Sequence, residues 1–157
     1  SRQAAGSLLT DDKGTIIGSK LIGQEFFSPK YFVGRPSNAG LGYEPLKAQG
    51  SNMAVFSGEF IDKVMMNGQL INGAFNVEGD IPMELLTSSA SGLDPHISRE
   101  AAYLQIASIA RERMVNPYRI KNLVDNLAQK PQLGILGNDR VNVLELNIEL
   151  DEKFGAQ

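Results

Sequence analysis

Apolar residues recur along this chain at two spacings, every second position and every third or fourth, and each spacing predicts a different element. Leu8 and Leu9 lead into Thr10-Asp11-Asp12-Lys13-Gly14, a polar run ending in glycine that suits a hairpin turn. Thr15 to Gln24 returns as a β-rich run, in which Gly18 and Gly23 suggest bulges or close backbone approach. Pro29 to Gly50 has no period and is punctuated by Pro29, Gly34, Pro36, Gly40, Gly42 and Pro45, which predicts a long ordered loop. Helical spacing follows. Phe60, Val64 and Ile71 predict a helix from about Gly58 to Asn72, weakened by Gly68. A second helix runs from Ser98 to about Arg113, with Ser98 as cap, Glu100 in the first turn, and Ala102, Ile106, Ile109, Ala110 and Met114 as its apolar stripe. A third starts with Asn116 as cap and Pro117 at the first helical position, carries Ile120, Leu123, Val124 and Leu127 on one face, and is ended by Pro131.

Val141 to Leu150 alternates polar and apolar residues with a phase slip near Val143-Leu144, and predicts a half-buried, bulged strand packed on the helices. The expected architecture is α+β (or α/β): a single domain over residues 1–157, with one mixed β-sheet and about three helices against it.

Composition narrows the function. The chain has 157 residues, 42% hydrophobic and 21% charged, which is ordinary for a globular domain able to bury a sizeable core. A net charge of −3 and the absence of any Lys/Arg cluster give no footprint for nucleic acid or for an anionic membrane surface. No cysteine is present, which excludes disulfides, a thiolate nucleophile and a zinc knuckle. No run of about 18 apolar residues occurs, nor an apolar signal-peptide core. The sequence opens at Ser1 without an initiator Met, and the expectation is that a segment once preceded it.

The densest group of reactive residue types is Thr87 to Ser98, which holds four hydroxyls before the single histidine, His96, and Asp94 two positions ahead of it. A nucleophile–base–orienter arrangement needs a Gly-x-Ser-x-Gly elbow, and Ser88-Ser89-Ala90-Ser91-Gly92 lacks the first glycine and centres on alanine. The structural alternative is an Asx turn at Asp94 stiffened by Pro95, with Ser98 opening the next helix, and no catalytic residue is assigned. One histidine and no Asp-x-Asp-x-Asp-Gly spacing give no metal site. Gly14 to Lys20 resembles a phosphate loop only loosely, because the second glycine comes one residue early and Lys20 follows Ser19; a nucleotide alternative would rest on Gly18, Ser19, Lys20 and Gln24. Gly134-Ile135-Leu136-Gly137 reads as an apolar turn. Arg35-Pro36-Ser37, preceded by Phe26, Phe27, Tyr31 and Phe32, could receive an anion or a partner carboxylate.

Several of these segments, in order, resemble the KdpC family, the C subunit of Kdp-type potassium pumps. They are Gln3-Ala4-Ala5-Gly6-Ser7-Leu8, Gly18 to Phe26, Tyr31-Phe32-Val33-Gly34-Arg35-Pro36-Ser37, Gly50-Ser51-Asn52, Thr87 to Ser98, Leu133 to Gly137, and Val141 to Asn147. The sequence departs from the family's pattern at Met53 to Ser57, where a Gly- and Pro-containing polar stretch is usual, and at Arg99, where Pro is frequent. The resemblance implies a non-catalytic accessory subunit of an ATP-driven potassium pump, needed for assembly. Its implied partners are a potassium-binding channel-like subunit and a P-type ATPase subunit. It also implies a single N-terminal transmembrane helix just before Gln3, with this domain on the extracytoplasmic side of the cell membrane. The domain itself would bind no cofactor, while the complex uses ATP, magnesium and potassium. An alternative role attached to the family is a catalytic chaperone that raises the ATP affinity of the hydrolysing subunit. Partner-contact or loop-shaping candidates are Arg35, Pro36, Ser37, Asn52, Ser91, Gly92, Asp94 and His96.

Overall fold

The computed structural model describes residues 8–10, 16–19, 21–22, 28–37, 57–129 and 139–155. The hairpin turn expected at Asp11 to Gly14, Phe26, Phe27, most of the Pro29–Gly50 loop, Asn52 and the Gly134–Gly137 turn lie outside those residues, as do Lys20 and Gln24.

Strands β1 (Leu8–Thr10) and β2 (Ile16–Ser19) form the expected antiparallel hairpin. Leu9 pairs with Gly18 and Thr10 with Ile16, so Ile17 has no residue opposite it and the ladder is bulged there. Helix α1 spans Gly58–Phe75, runs through Gly68, and ends three residues beyond the expected Asn72. Ser57 caps its start, and Asn76 ends it in the left-handed region at φ 48°. A short α2 (Met83–Leu86) follows and seals Leu85 into the core. Asn67 on α1 donates to the Leu86 carbonyl at 2.8 Å.

Strand β3 (His96–Ser98) leads directly into α3 (Arg99–Arg113), because the Ser98 hydroxyl accepts from the Ala101 amide at 3.0 Å and so starts the helix. At the far end, Val115 donates to Ala110 and Met114 to Arg111, a Schellman closure with Met114 at φ 55°. Asn116 then caps α4 (Pro117–Leu127), so only three residues separate the two helices and they pack on each other. Helix α4 stops at Leu127, short of Pro131, and Gln129 pairs with Arg140 through N···O contacts of 2.8 and 3.1 Å.

The C-terminal segment corrects the sequence reading. Only Arg140–Asn142 is a strand (β4), paired antiparallel with β3, and Val143–Phe154 is a helix, α5. The Asn142 side chain accepts from the Glu145 amide at 3.1 Å, a cap that turns the chain out of the strand. Val143, Leu146, Asn147 and Leu150 then share one buried face at helical spacing. The slip near Val143-Leu144 is the boundary between strand and helix, not a bulge.

The class is α+β, as expected. Among the described residues the strands form two separate antiparallel pairs, where the sequence predicts one mixed sheet. The core is helical: α3, α4 and α5 bury Ile106, Ile109, Ile120, Leu123, Leu146 and Leu150, joined by Ile97 and Val141 from the β3–β4 ladder. No helix among the described residues is long and apolar enough to cross a membrane.

Candidate functional site

The site is assembled by a strap, residues 28–37, that turns at Ser28–Tyr31, runs without regular secondary structure from Phe32 across the helical core, and is held to it by buried polar side chains. Asn147 on α5 grips Phe32 on both sides, accepting its N–H at 2.8 Å and donating to its carbonyl at 2.9 Å. Gln105 on α3 does the same for Val33, at 2.8 and 3.1 Å. The backbone groups of Phe32 and Val33 are therefore satisfied by side chains and need no neighbouring strand. Phe32 is wholly buried. Upstream, the fully buried Arg113 guanidinium donates to the Lys30 carbonyl, the Gly155 carbonyl and the Asp151 carboxylate at 2.6, 2.9 and 2.7 Å. Arg113 also lies over the Tyr31 ring, 4.6 Å from its centroid, while the Tyr31 hydroxyl donates to Asp151 at 2.9 Å. Burial and the Asp151 carboxylate raise the Tyr31 hydroxyl pKa above its ordinary value, so it remains a donor at neutral pH.

Clamped this way, the strap delivers Arg35 and Ser37 to the loop from Thr87 to Pro95. Pro36 biases Arg35 toward extended backbone, and residues two apart on an extended chain project to one side. Ser37 donates to the Gly92 carbonyl at 2.8 Å, and Arg35 to the Ser88 carbonyl at 3.2 Å. Gly92 has φ 71°, a left-handed position that a side chain would strain, which explains glycine there.

The Ser89 and Ser91 hydroxyls bond within this loop, and that of Thr87 bonds back to α2. Ser89 accepts from the Asp94 amide and Ser91 from the Leu93 amide, each at 3.2 Å, and Thr87 donates to the Met83 carbonyl at 2.9 Å. The expected Asx turn is present, with Asp94 Oδ1 accepting from the His96 amide at 3.1 Å. The same oxygen lies 3.3 Å from His96 Nδ1. Its partner Oδ2 receives Arg140 Nη1 at 3.0 Å and lies 3.8 Å from Arg35 Nη1. Asp94 thus joins three segments distant in sequence: the strap, the loop and the start of β4. Burial alone would raise its pKa; the His96 ring and amide and the Arg140 guanidinium outweigh this and lower it to about 2.

Because the folded pKa lies below the ordinary carboxylate value, this contribution is complete above about pH 4 and is lost as pH falls toward 2. The group is partly solvated, so the effect is of order 1–2 kcal/mol. Acid titration of unfolding should show wild type losing that much more than Asp94→Asn between pH 4 and 2. Equal losses in the two proteins would show that Asp94 carries no such linkage.

Other expected residues fall elsewhere. Gly18 and Ser19 lie in β2, opposite Leu9 and Leu8, in an extended ladder and not in a strand–turn–helix loop. The Ser19 hydroxyl accepts from the Leu21 amide at 3.2 Å. Among the described residues no group of three or more His, Asp or Glu is placed to hold a metal ion. A cleft of about 600 Å³ between α3 and the 76–82 segment is lined by Glu78, Asp80, Glu100, Tyr103 and Arg111, away from the Asp94 cluster. Sequence reasoning misses Gln105, Arg113, Arg140, Asn147 and Asp151. The available signal for two of them is a polar residue interrupting an apolar helical stripe: Gln105 beside Ile106, and Arg113 one turn after Ile109.

A family model described as K+-transporting ATPase, c chain, matches residues 1–152. The chain belongs to the KdpC family. Curated relatives agree. The potassium-transporting ATPase KdpC subunit of Geotalea uraniireducens is 44% identical over 152 residues, covering 96% of this chain and 80% of that protein. That of Geobacter sulfurreducens is 44% identical over 151 residues (96% and 79%), and that of Myxococcus xanthus 42% over 154 residues (98% and 73%). As a KdpC-family chain this protein is an accessory subunit of a potassium pump, and the clamped strap and Asp94 loop are the places where its motif residues converge.

Proposed function

We propose that this domain is a non-catalytic, assembly-stabilising part of a high-affinity ATP-driven potassium pump, docking on the potassium-binding subunit from the extracytoplasmic side. In this reading a membrane helix ahead of the domain anchors it, and the P-type ATPase subunit carries out ATP hydrolysis. The carrying observation is how the Asp94 cluster uses its chemistry. Ser89, Ser91 and Ser98 accept from backbone amides, and Asp94 divides its oxygens among His96, Arg140 and Arg35. Groups engaged this way fix the shape of a surface and are poorly placed to activate a nucleophile. Family membership supplies the complex in which such a surface would be used.

Arg35→Ala and Asp94→Ala, placed in the membrane-anchored protein, test the reading. Both remove ties between the strap and the loop, and both are expected to lower recovery of the assembled pump and growth at limiting potassium by severalfold. Undiminished assembly and uptake in both variants would remove these residues from the docking role. Calorimetric titration of the isolated domain with ATP addresses the chaperone alternative; heat of binding at millimolar nucleotide would favour it.

A further inference from the structure

Two groups of described charges flank the β3–β4 ladder, apart from Glu84, which accepts from the Ser98 amide at 3.0 Å. In one, Asp125 and Asp139 face Arg99 and Lys121: Lys121 reaches Asp125 at 2.8 Å, Arg99 pairs with Asp139, and Arg99 also lies 3.8 Å from Asp125. Two carboxylates meet two cations. In the other, Asp94 is shared among Arg140, the His96 ring and Arg35. The Arg140 side chain is 50% exposed, and its bond to Asp94 uses one of five guanidinium donors. His96 is 28% exposed on its side chain. Arg140 therefore presents a half-exposed guanidinium whose described carboxylate is divided with two other groups, in a chain that is acidic overall.

We propose that Arg140, with His96 beside it, receives an acidic side chain from another subunit of the pump, so that a partner carboxylate completes the Asp94 cluster. This rests on the pump-subunit reading above. A carboxylate matches the site in both charge and shape. It brings one negative charge to a permanent cation only partly balanced by a shared carboxylate, and it suits the two-pronged face of a half-exposed guanidinium. A phosphate group would bring more negative charge against Asp94, which stands in the middle of the cluster. Charge complementarity of this kind sets register and partner choice in a docking surface.

The test separates docking from mere support of the fold, because salt weakens a charged contact between subunits more than it weakens the fold. In detergent-solubilised pump, Arg140→Gln is expected to weaken retention of the subunit roughly tenfold at low salt and to flatten the dependence of retention on salt, while Arg140→Lys keeps much of it. Weaker retention in Arg140→Gln with the salt dependence of wild type intact, as a purely structural role requires, would overturn the proposal. A carbodiimide, which joins an amine and a carboxylate in contact with loss of water, gives an independent measurement in the double variant Asp94→Asn/Arg140→Lys. The amine introduced by Arg140→Lys is expected to cross-link to an Asp or Glu of another pump subunit. If the subunits co-purify but that amine links only within its own chain or to a second copy, this inference fails and the pump reading stands. If no pump subunit co-purifies with the wild-type chain, both fall.

Discussion

Replacing Arg113 with alanine is expected to destabilise the domain by about 3–4 kcal/mol, a large share of the total stability of a domain this size. The fully buried guanidinium satisfies two backbone carbonyls and a carboxylate at once, linking the strap, the end of α5 and α3. Its removal leaves the Lys30 and Gly155 carbonyls short of donors and Asp151 with only the Tyr31 hydroxyl among its described side-chain partners. Lysine should recover little, because one ammonium on a flexible stem cannot replace a planar fork aimed in three directions. Urea denaturation measures the effect, read from the midpoint at unchanged slope. A loss below about 1 kcal/mol would mean that water replaces these bonds at little cost.

Asn147→Ala is expected to cost about 2–4 kcal/mol and to loosen the strap specifically. Both backbone groups of Phe32 lose their partner in a buried setting, and each unmet group costs roughly 1–3 kcal/mol, offset in part by relaxation. Hydrogen exchange distinguishes this from a general loss of stability. The Phe32 and Val33 amides should exchange faster than those of α3 and α4 by more than the global change in stability accounts for. Because the strap carries Arg35 and Ser37 to the Asp94 loop, retention in the pump should fall as well, although Asn147 is 2% exposed. Uniform acceleration across all amides would place Asn147 in the core alone and not in the positioning of the site.

Local chemistry makes much of this protein legible from its sequence. Ser98, Asn116 and Pro117 start helices at the expected positions, since a cap or a proline acts within one turn and needs no distant partner. The Asx turn at Asp94 and the hairpin of β1 with β2 are local in the same sense. Val141 to Leu150 misleads because apolar residues at 144, 146, 148 and 150 fit a strand, while 143, 146, 147 and 150 fit a helix whose face includes an asparagine. Only packing decides between those faces, and it favours the one that places Asn147 against Phe32.

Read alone, the chain yields its class, the starts of α1, α3 and α4, the turn geometry around Asp94 and its family. What those motifs are for one another is settled by contact between distant segments. Arg35, Asp94 and Arg140 are separated by tens of residues, and Gln105, Arg113 and Asn147 look like misplaced polar residues until the strap they hold lies against them. A buried polar side chain is intelligible only through its partner, and in this fold the partners are backbone groups supplied by a distant segment of chain.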